Sequence, residues 1–200
     1  MICPLCPADG RRQRSDATRH KVGQALFDLV RETGTLPDAA AVAVRAGVGR
    51  RTVFRYFQGS AALEVETARL LVKMLRAELP DPQPQGDLDA RLSAFIAHRC
   101  ALYSRADPVR RLIEAARAKG APELDAFVGE SVALMRGQLL GLLPELARPD
   151  LPPMALTAFE LVTGWDAWDA LTTLVQMPPA QVAAQMDWSA RAVLAKAGIA

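Results

Sequence analysis

Apolar residues recur along this chain at helical spacing, and no convincing segment alternates apolar with polar residues. In the first such stretch the apolar positions follow the series i, i+3, i+4, i+7, i+8, which marks one face of an amphipathic helix. They are Val22, Ala25, Leu26, Leu29 and Val30. Similar stripes continue to about residue 197, so the sequence predicts an all-α chain of about nine helices.

Two proline-rich segments interrupt the helical pattern. Residues 80–86 contain three prolines and a glycine, and residues 144–153 contain four prolines. Proline lacks a backbone N–H and breaks helices, so the first segment is the main predicted boundary. We predict a disordered tail over 1–15, a small helical domain over 16–60, a connecting helix over 61–79 and a larger helical domain over 87–200.

The most specific local pattern lies in residues 38–57. Asp38 is a candidate N-cap for a short helix with an inner face of small residues, and Gly47 supplies a tight turn after it. A second short helix follows over 50–57. Two short helices joined in this way form a helix-turn-helix, which places its second helix in the major groove of DNA.

Charge is unevenly distributed along the chain and supports this interpretation. The net charge is +2, but residues 1–60 carry +5 and residues 61–200 carry −3. A basic N-terminal part on an acidic remainder fits a polyanion-binding head joined to a neutral or self-associating body.

Several features around the motif occur together and in a fixed order. An amphipathic helix precedes it, Ala46-Gly47-Val48 forms its turn, a Thr-Val-Phe-Arg-Tyr-Phe block occupies 52–57, and Ala62-Leu63 follows. Over residues 16–75 the chain therefore resembles the TetR family of bacterial transcriptional regulators. The resemblance implies a homodimer that binds a palindromic DNA operator and releases it when a small molecule enters the C-terminal domain. We expect a repressor that is not an enzyme and needs no cofactor.

The resemblance assigns DNA contacts to residues along the second motif helix and just beyond its end. They are Arg50, Arg51, Thr52, Phe54, Arg55, Tyr56 and Ser60. Gly49 replaces the usual serine N-cap, Phe54 the usual tyrosine, and Ser60 the lysine that often begins the next helix. Glycine caps a helix slightly less well than serine. Because the changes at Phe54 and Ser60 remove phosphate contacts, we expect weaker nonspecific affinity and a shallower salt dependence of DNA binding than a full set would give.

A tryptophan-bearing helix predicted over about 154–175 and the final helix together form a candidate dimer surface. In the first helix the apolar positions are spaced +4, +3, +4, +3, which is a heptad-like seam. The predicted interface residues are Leu161, Trp165, Trp168, Thr172, Val175, Val182, Met186 and Val193. Two such helices from each subunit would close a four-helix bundle. The alternative is that both tryptophans belong to the core of a single chain.

A ligand pocket is expected among the middle helices. The candidate lining residues are Phe95, His98, Tyr103, Phe127, Met135 and Phe159. Few charges punctuate these stripes, so we expect an apolar or aromatic effector. The alternative is that most of these residues form ordinary core.

Other chemistry finds little support in the sequence. Cys3 and Cys6 resemble half of a zinc site, but a structural site needs four ligands and the chain has only one further cysteine. The sequence contains no long apolar run and no secretory signal pattern, so we expect a cytoplasmic protein with no membrane partner. Two rival functions stay open: an all-α ligand-binding or enzymatic protein whose helix-turn-helix is only structural, and a sequence-independent DNA binder.

Overall fold

The computed structural model describes residues 7–33, 37–57, 61–83, 85–118, 120 and 122–199. All regular elements in these ranges are helical, and they include no strand, which confirms the all-α prediction. The α-helices are α1 (Pro7–Thr33), α2 (Ala39–Ala46), α3 (Arg50–Phe57), α4 (Ala61–Glu78), α5 (Leu88–Arg117), α6 (Pro122–Leu142), α7 (Ala155–Thr163), α8 (Trp165–Asp169) and α9 (Pro179–Lys196). A 3-10 turn occupies Pro144–Ala147, and a π-helical turn over Ala170–Leu174 continues α8.

Helix α1 begins earlier than the sequence pattern predicts. Residues 7–15 were expected in a disordered tail, but they are helical and continuous with the rest of α1. Pro7 suits the first turn of a helix because its missing N–H would have no partner there. The arginines and glutamine at 11–14 are good helix formers, so the predicted tail is corrected over these residues. Residues 1–6, including Cys3 and Cys6, lie outside the described residues.

The chain divides into two compact units. The first comprises residues up to Leu75 together with Asp107–Phe127, and the second comprises Arg76–Ala106 together with Val128–Ala200. This division differs from the predicted boundary because the segment at 107–127 belongs to the first unit. Within that unit the Arg69 guanidinium lies 5.4 Å from the centroid of the Phe127 ring.

The first unit is built around the helix-turn-helix. Helix α2 packs against both α1 and α3. The core of the first unit includes Val22 and Leu26 of α1, Val42 of α2 and Val53 of α3, all of which are buried. Leu29, which the α1 stripe also contains, is only partly buried.

A glycine allows α1 and α4 to approach closely. A Cβ built on Gly23 would lie 2.2 Å from Cδ2 of Leu70, well inside van der Waals contact. Glycine in the middle of a helix is usually destabilising, but here the missing side chain makes room for the neighbouring helix.

The core of the second unit includes an aromatic cluster. Tyr103 meets Trp165 edge-on at a centroid distance of 5.5 Å, and the two tryptophans Trp165 and Trp168 lie 5.1 Å apart. The Tyr103 hydroxyl donates a hydrogen bond of 3.1 Å to the Thr163 carbonyl. The polar end of a buried tyrosine is thus satisfied while its ring packs against indoles.

The single helix predicted over 154–175 is interrupted, which is a second correction. Gly164 has φ −80° and ψ 173°, an extended conformation that ends α7 before α8 begins. A Cβ at this position would lie 2.7 Å from the carbonyl oxygen of Glu160, so the break needs a glycine. The helical spacing of apolar residues continues on both sides of Gly164, and for this reason the sequence predicts a single helix there.

Candidate functional site

Two polar contacts fix the position of α2 in the first unit. The Asp38 carboxylate accepts a 2.7 Å hydrogen bond from the Ala41 N–H and caps the helix, as predicted. At the other end of α2, the two terminal nitrogens of Arg45 donate hydrogen bonds of 2.9 and 2.7 Å to the Glu32 carboxylate of α1. This paired geometry is the stronger form of an exposed ion pair and ties α2 to α1.

The turn between α2 and α3 follows the predicted chemistry. Gly47 has φ 65° and ψ 37°, the left-handed conformation that glycine adopts at no steric cost. The Val48 N–H donates to the Ala43 carbonyl at 3.1 Å, and the Thr52 N–H donates to the Gly49 carbonyl at 2.9 Å as α3 begins. The turn therefore sets the direction in which α3 leaves α2.

The buried side of α3 determines which residues point outward. Val53 is fully buried, at 0% exposure. Arg50, Arg51 and Arg55 are exposed, and Phe54 is 38% exposed. Thr52 is half-buried. With Val53 buried, the three arginines of α3 lie on the solvent side of this short helix.

Arg50 and Arg51 differ from most other arginines of the chain. Neither side chain makes a hydrogen bond or an ion pair with another residue that the structure describes. Elsewhere arginines pair with carboxylates, as in Arg76–Asp81, Arg91–Glu145, Arg117–Asp125, Arg136–Glu160, Arg148–Asp150 and Arg191–Asp187. The two α3 arginines are therefore available to an external anion.

Two predicted contact residues cannot be placed. Tyr56 lies in α3, but its side chain is outside the described part of the chain, and so is the whole of Ser60. Their predicted DNA contacts remain predictions.

The second unit contains a cavity of about 310 Å³. Residues from α5, α6 and the loop at 81–83 form its wall: Asp81, Pro82, Gln83, Phe95, His98, Arg99, Gln138, Gly141 and Leu142. Two of the predicted lining residues, Phe95 and His98, are among them. This volume falls within the usual range for small-molecule pockets.

The other predicted lining residues lie elsewhere. Phe159 is buried behind Phe95, with the two ring centroids 5.7 Å apart. Tyr103 belongs to the aromatic cluster, and Phe127 lies in the first unit. Met135 contributes its backbone carbonyl, which accepts a hydrogen bond from Arg99.

Sequence reasoning missed the most unusual residue of this cavity. Arg99 is only 4% exposed, although it carries a full charge. It follows Phe95 by four residues and precedes Tyr103 by four, so it occupies the buried stripe of α5. A charged residue inside an otherwise apolar stripe was the signal that could have identified it.

The predicted dimer seam is only partly exposed. Trp168, Val182 and Met186 are buried within the chain's own core, which corrects their assignment to a partner surface. Trp165, Thr172 and Val193 are partly buried, whereas Leu161 and Val175 are exposed. The alternative interpretation of a tryptophan in the core is thus confirmed for Trp168.

Helix α9 presents a different apolar face to the outside. Trp188 is 68% exposed, the opposite of what its size favours. The small residues Ala184, Ala192 and Ala195 flank it at helical spacing and are also exposed. This set, which we call the α9 outer face, was not predicted, because the buried stripe of the same helix is equally apolar.

The sequence matches no protein-family model, and no curated protein matches it either. A structural comparison is informative. The crystal structure of a transcriptional regulator from Rhodococcus sp. Rha1 superimposes with a TM-score of 0.66 and 24% sequence identity, over 91% of this chain and 98% of that chain. At this identity the likeness establishes a shared fold over nearly the whole length. None of the described helices is both long and apolar enough to cross a membrane.

Proposed function

We propose that this protein is a TetR-like transcriptional regulator that binds DNA through α3 and is not an enzyme. The observation that carries the proposal is the pair Arg50 and Arg51, exposed and without a protein partner in the described structure. They lie on a helix whose orientation is set by the Gly47 turn and the buried Val53. Arginines presented in this way can pair with phosphates or fork onto guanine.

The active form is proposed to be a homodimer, in keeping with a palindromic operator. A two-fold dimer supplies two symmetric reading helices for adjacent major grooves. The α9 outer face supports this assembly, because an exposed tryptophan among alanines allows close approach of a second apolar surface. Leu161 lies on α7, a helix that packs against α9, and its side chain is also exposed.

Regulation is proposed to act through the cavity of the second unit. A ligand that binds one conformation more tightly shifts the population toward that conformation. The resulting change in DNA affinity cannot exceed the difference between the ligand's affinities for the two conformations. We expect the ligand to favour a spacing of the two α3 helices that no longer fits the operator, so the protein acts as a repressor.

The double variant Arg51→Ala/Arg55→Ala tests DNA binding. DNA upstream of the protein's own gene serves as the probe, and binding is followed by fluorescence anisotropy. Losing two arginine contacts should weaken binding by at least about 30-fold, with unfolding unchanged. The control is Arg105→Ala/Arg148→Ala, which removes the same charge from exposed positions of the second unit. Equal affinity of both double variants would support a structural helix-turn-helix instead.

Competition with random DNA separates a regulator from a sequence-independent binder. A specific regulator should prefer its site by at least about a thousandfold. A preference near unity, with the arginine variants still impaired, would favour the nonspecific DNA binder.

A further inference from the structure

The cavity of the second unit contains a buried cation with an unused donor. Arg99 lines the cavity, its Nη2 donates to the Met135 carbonyl at 2.9 Å, and its Cζ lies 4.9 Å from the centroid of the Phe95 ring. Its Nη1 is buried and has no hydrogen-bond partner among the described residues. Burying a charge is costly unless it is paired and hydrogen bonded, so this arrangement lacks an anion.

The nearby carboxylates are held by other side chains. Asp81 accepts from Arg76 at 3.3 Å and from Gln138 at 3.0 Å. Glu160 accepts both arms of Arg136, at 2.6 and 2.5 Å. Burial lowers the pKa of Arg99 more than Tyr103, Asp81 and Glu160 raise it, so these groups do not fully compensate its charge. The guanidinium nevertheless stays protonated near neutral pH.

A second polar atom of the same wall is also unused. Burial lowers the pKa of His98, so its ring is neutral near pH 7. Its Nε2 is buried, lies 3.9 Å from a carboxylate oxygen of Asp81 and makes no hydrogen bond with the described residues. A neutral imidazole carries its proton on either ring nitrogen, so Nε2 can donate a hydrogen bond to a group in the cavity or accept one from it.

We propose that this cavity binds a small monocarboxylate with an apolar body, whose carboxylate pairs with Arg99 and whose apolar part lies against Phe95 and Leu142. The Asp81 carboxylate on the same wall disfavours a second negative charge on the ligand. A cavity of about 150 Å³ accommodates benzene. At about 310 Å³ this one suits a single ring or a short acyl chain with its carboxylate.

The inference deepens the proposed function by naming the chemical class of the effector, and its regulatory meaning rests on that function. It also sharpens the expectation of an apolar or aromatic effector, since one negative charge is added to the apolar body.

Matched pairs of ligands test the role of the carboxylate. The probes are phenylacetate against phenylacetamide and octanoate against octanamide, titrated calorimetrically into the full-length chain without DNA. A charge-assisted pair should make at least one carboxylate bind about tenfold or more tightly than its amide. Equal affinities, or no carboxylate binding with a Kd below about 1 mM, would overturn the inference.

The variant Arg99→Met tests the residue. It should abolish the preference for carboxylate, whereas Arg105→Met, at an exposed position of the same helix, should keep it. A retained preference in Arg99→Met contradicts the assignment. If Arg99→Met does not fold, Arg99→Lys takes its place. This variant keeps the charge and should keep part of the preference for carboxylate. The comparison of acid with amide in the wild-type protein then decides whether the cavity prefers a carboxylate.

DNA binding is measured separately on the same samples. Carboxylate binding without any DNA binding would leave the site assigned and reject the regulator. DNA binding without a preference for carboxylates would support the regulator and reject the proposed ligand site.

Discussion

Helices α3 and α9 are built alike on their inner sides and differently on their outer sides. Each buries an apolar stripe, Val53 in α3 and residues such as Met186 in α9. The outer side of α3 presents Arg50 and Arg51, whose side chains pair with no other described residue, and the outer side of α9 presents Trp188 among alanines. The outer side of α3 is complementary to an anion, and the α9 outer face is complementary to a second apolar surface.

The inner sides of α3 and α9 contribute to stability, and their outer sides are the candidate binding surfaces. The buried stripes hold each unit together, and either outer face can change without removing a core contact. Variants on the outer faces should therefore alter association while leaving unfolding nearly unchanged. The predictions below use this contrast.

The largest effect is expected at the α9 outer face. Trp188→Glu should weaken dimerisation by at least about 30-fold, because a central aromatic anchor contributes about 2 kcal/mol or more. Sedimentation equilibrium over a concentration series measures the change. Val132→Glu, at an exposed apolar position of α6 in the same unit, is the matched control. If both variants dimerise like the wild type, the interface lies elsewhere.

On α3 the effect should be smaller and dependent on salt. If Arg50 pairs with a phosphate, Arg50→Ala should reduce the slope of log affinity against log salt by about 0.9. Anisotropy titrations between about 50 and 200 mM salt measure this slope. Arg148→Ala, whose side chain already pairs with Asp150, should leave it unchanged. An unchanged slope with altered sequence preference would assign Arg50 to a base instead.

A paired arginine of the second unit should act on stability through pH. A hydrogen bond from Arg91 lowers the pKa of Glu145 below its usual value. The stabilisation is therefore present above the unfolded pKa of about 4.3 and is lost as pH falls through the lower folded pKa.

Urea unfolding measures this stabilisation. Glu145→Gln should cost about 1 kcal/mol at pH 7, and the difference from wild type should shrink in acid. Asp150→Asn removes a solvent-exposed pair and should show a smaller difference. A gap that does not change with pH would contradict the assignment to this carboxylate.

The smallest effect is expected at the start of α3. A side chain at Gly49 would meet no atom within 4 Å, and serine caps a helix better than glycine does. Gly49→Ser should raise the free energy of unfolding by a few tenths of a kcal/mol. Gly49→Ala lacks the capping oxygen and should lower it. A serine variant no better than alanine would show that capping is not limiting here.

The helix-turn-helix could be predicted because its signals are local. Asp38 caps α2, Gly47 adopts the left-handed conformation, and Val53 is buried, each within a few residues of its partners. The exposure of Arg50 and Arg51 follows from the same periodicity. Local hydrogen bonding and helical spacing were sufficient, so the candidate DNA-binding face was visible in the sequence.

The α9 outer face and the cavity could not be predicted in this way. Helix α9 carries apolar residues on both sides, so periodicity alone does not say which side is buried. Met186 is buried in the core of the second unit, where its sulfur lies 3.7 Å from Sγ of Cys100, whereas Trp188 is exposed.

By itself the sequence determined the helical class, the turn at Gly47 and the basic outer face of α3, because each depends on neighbouring residues. Only the tertiary structure decided that Arg99 is buried on a cavity wall beside His98. Residues distant in sequence, among them Asp81 and Gln138, form that wall with them. No local pattern specifies which distant groups will surround a buried charge, and that environment determines whether the charge still needs an anion.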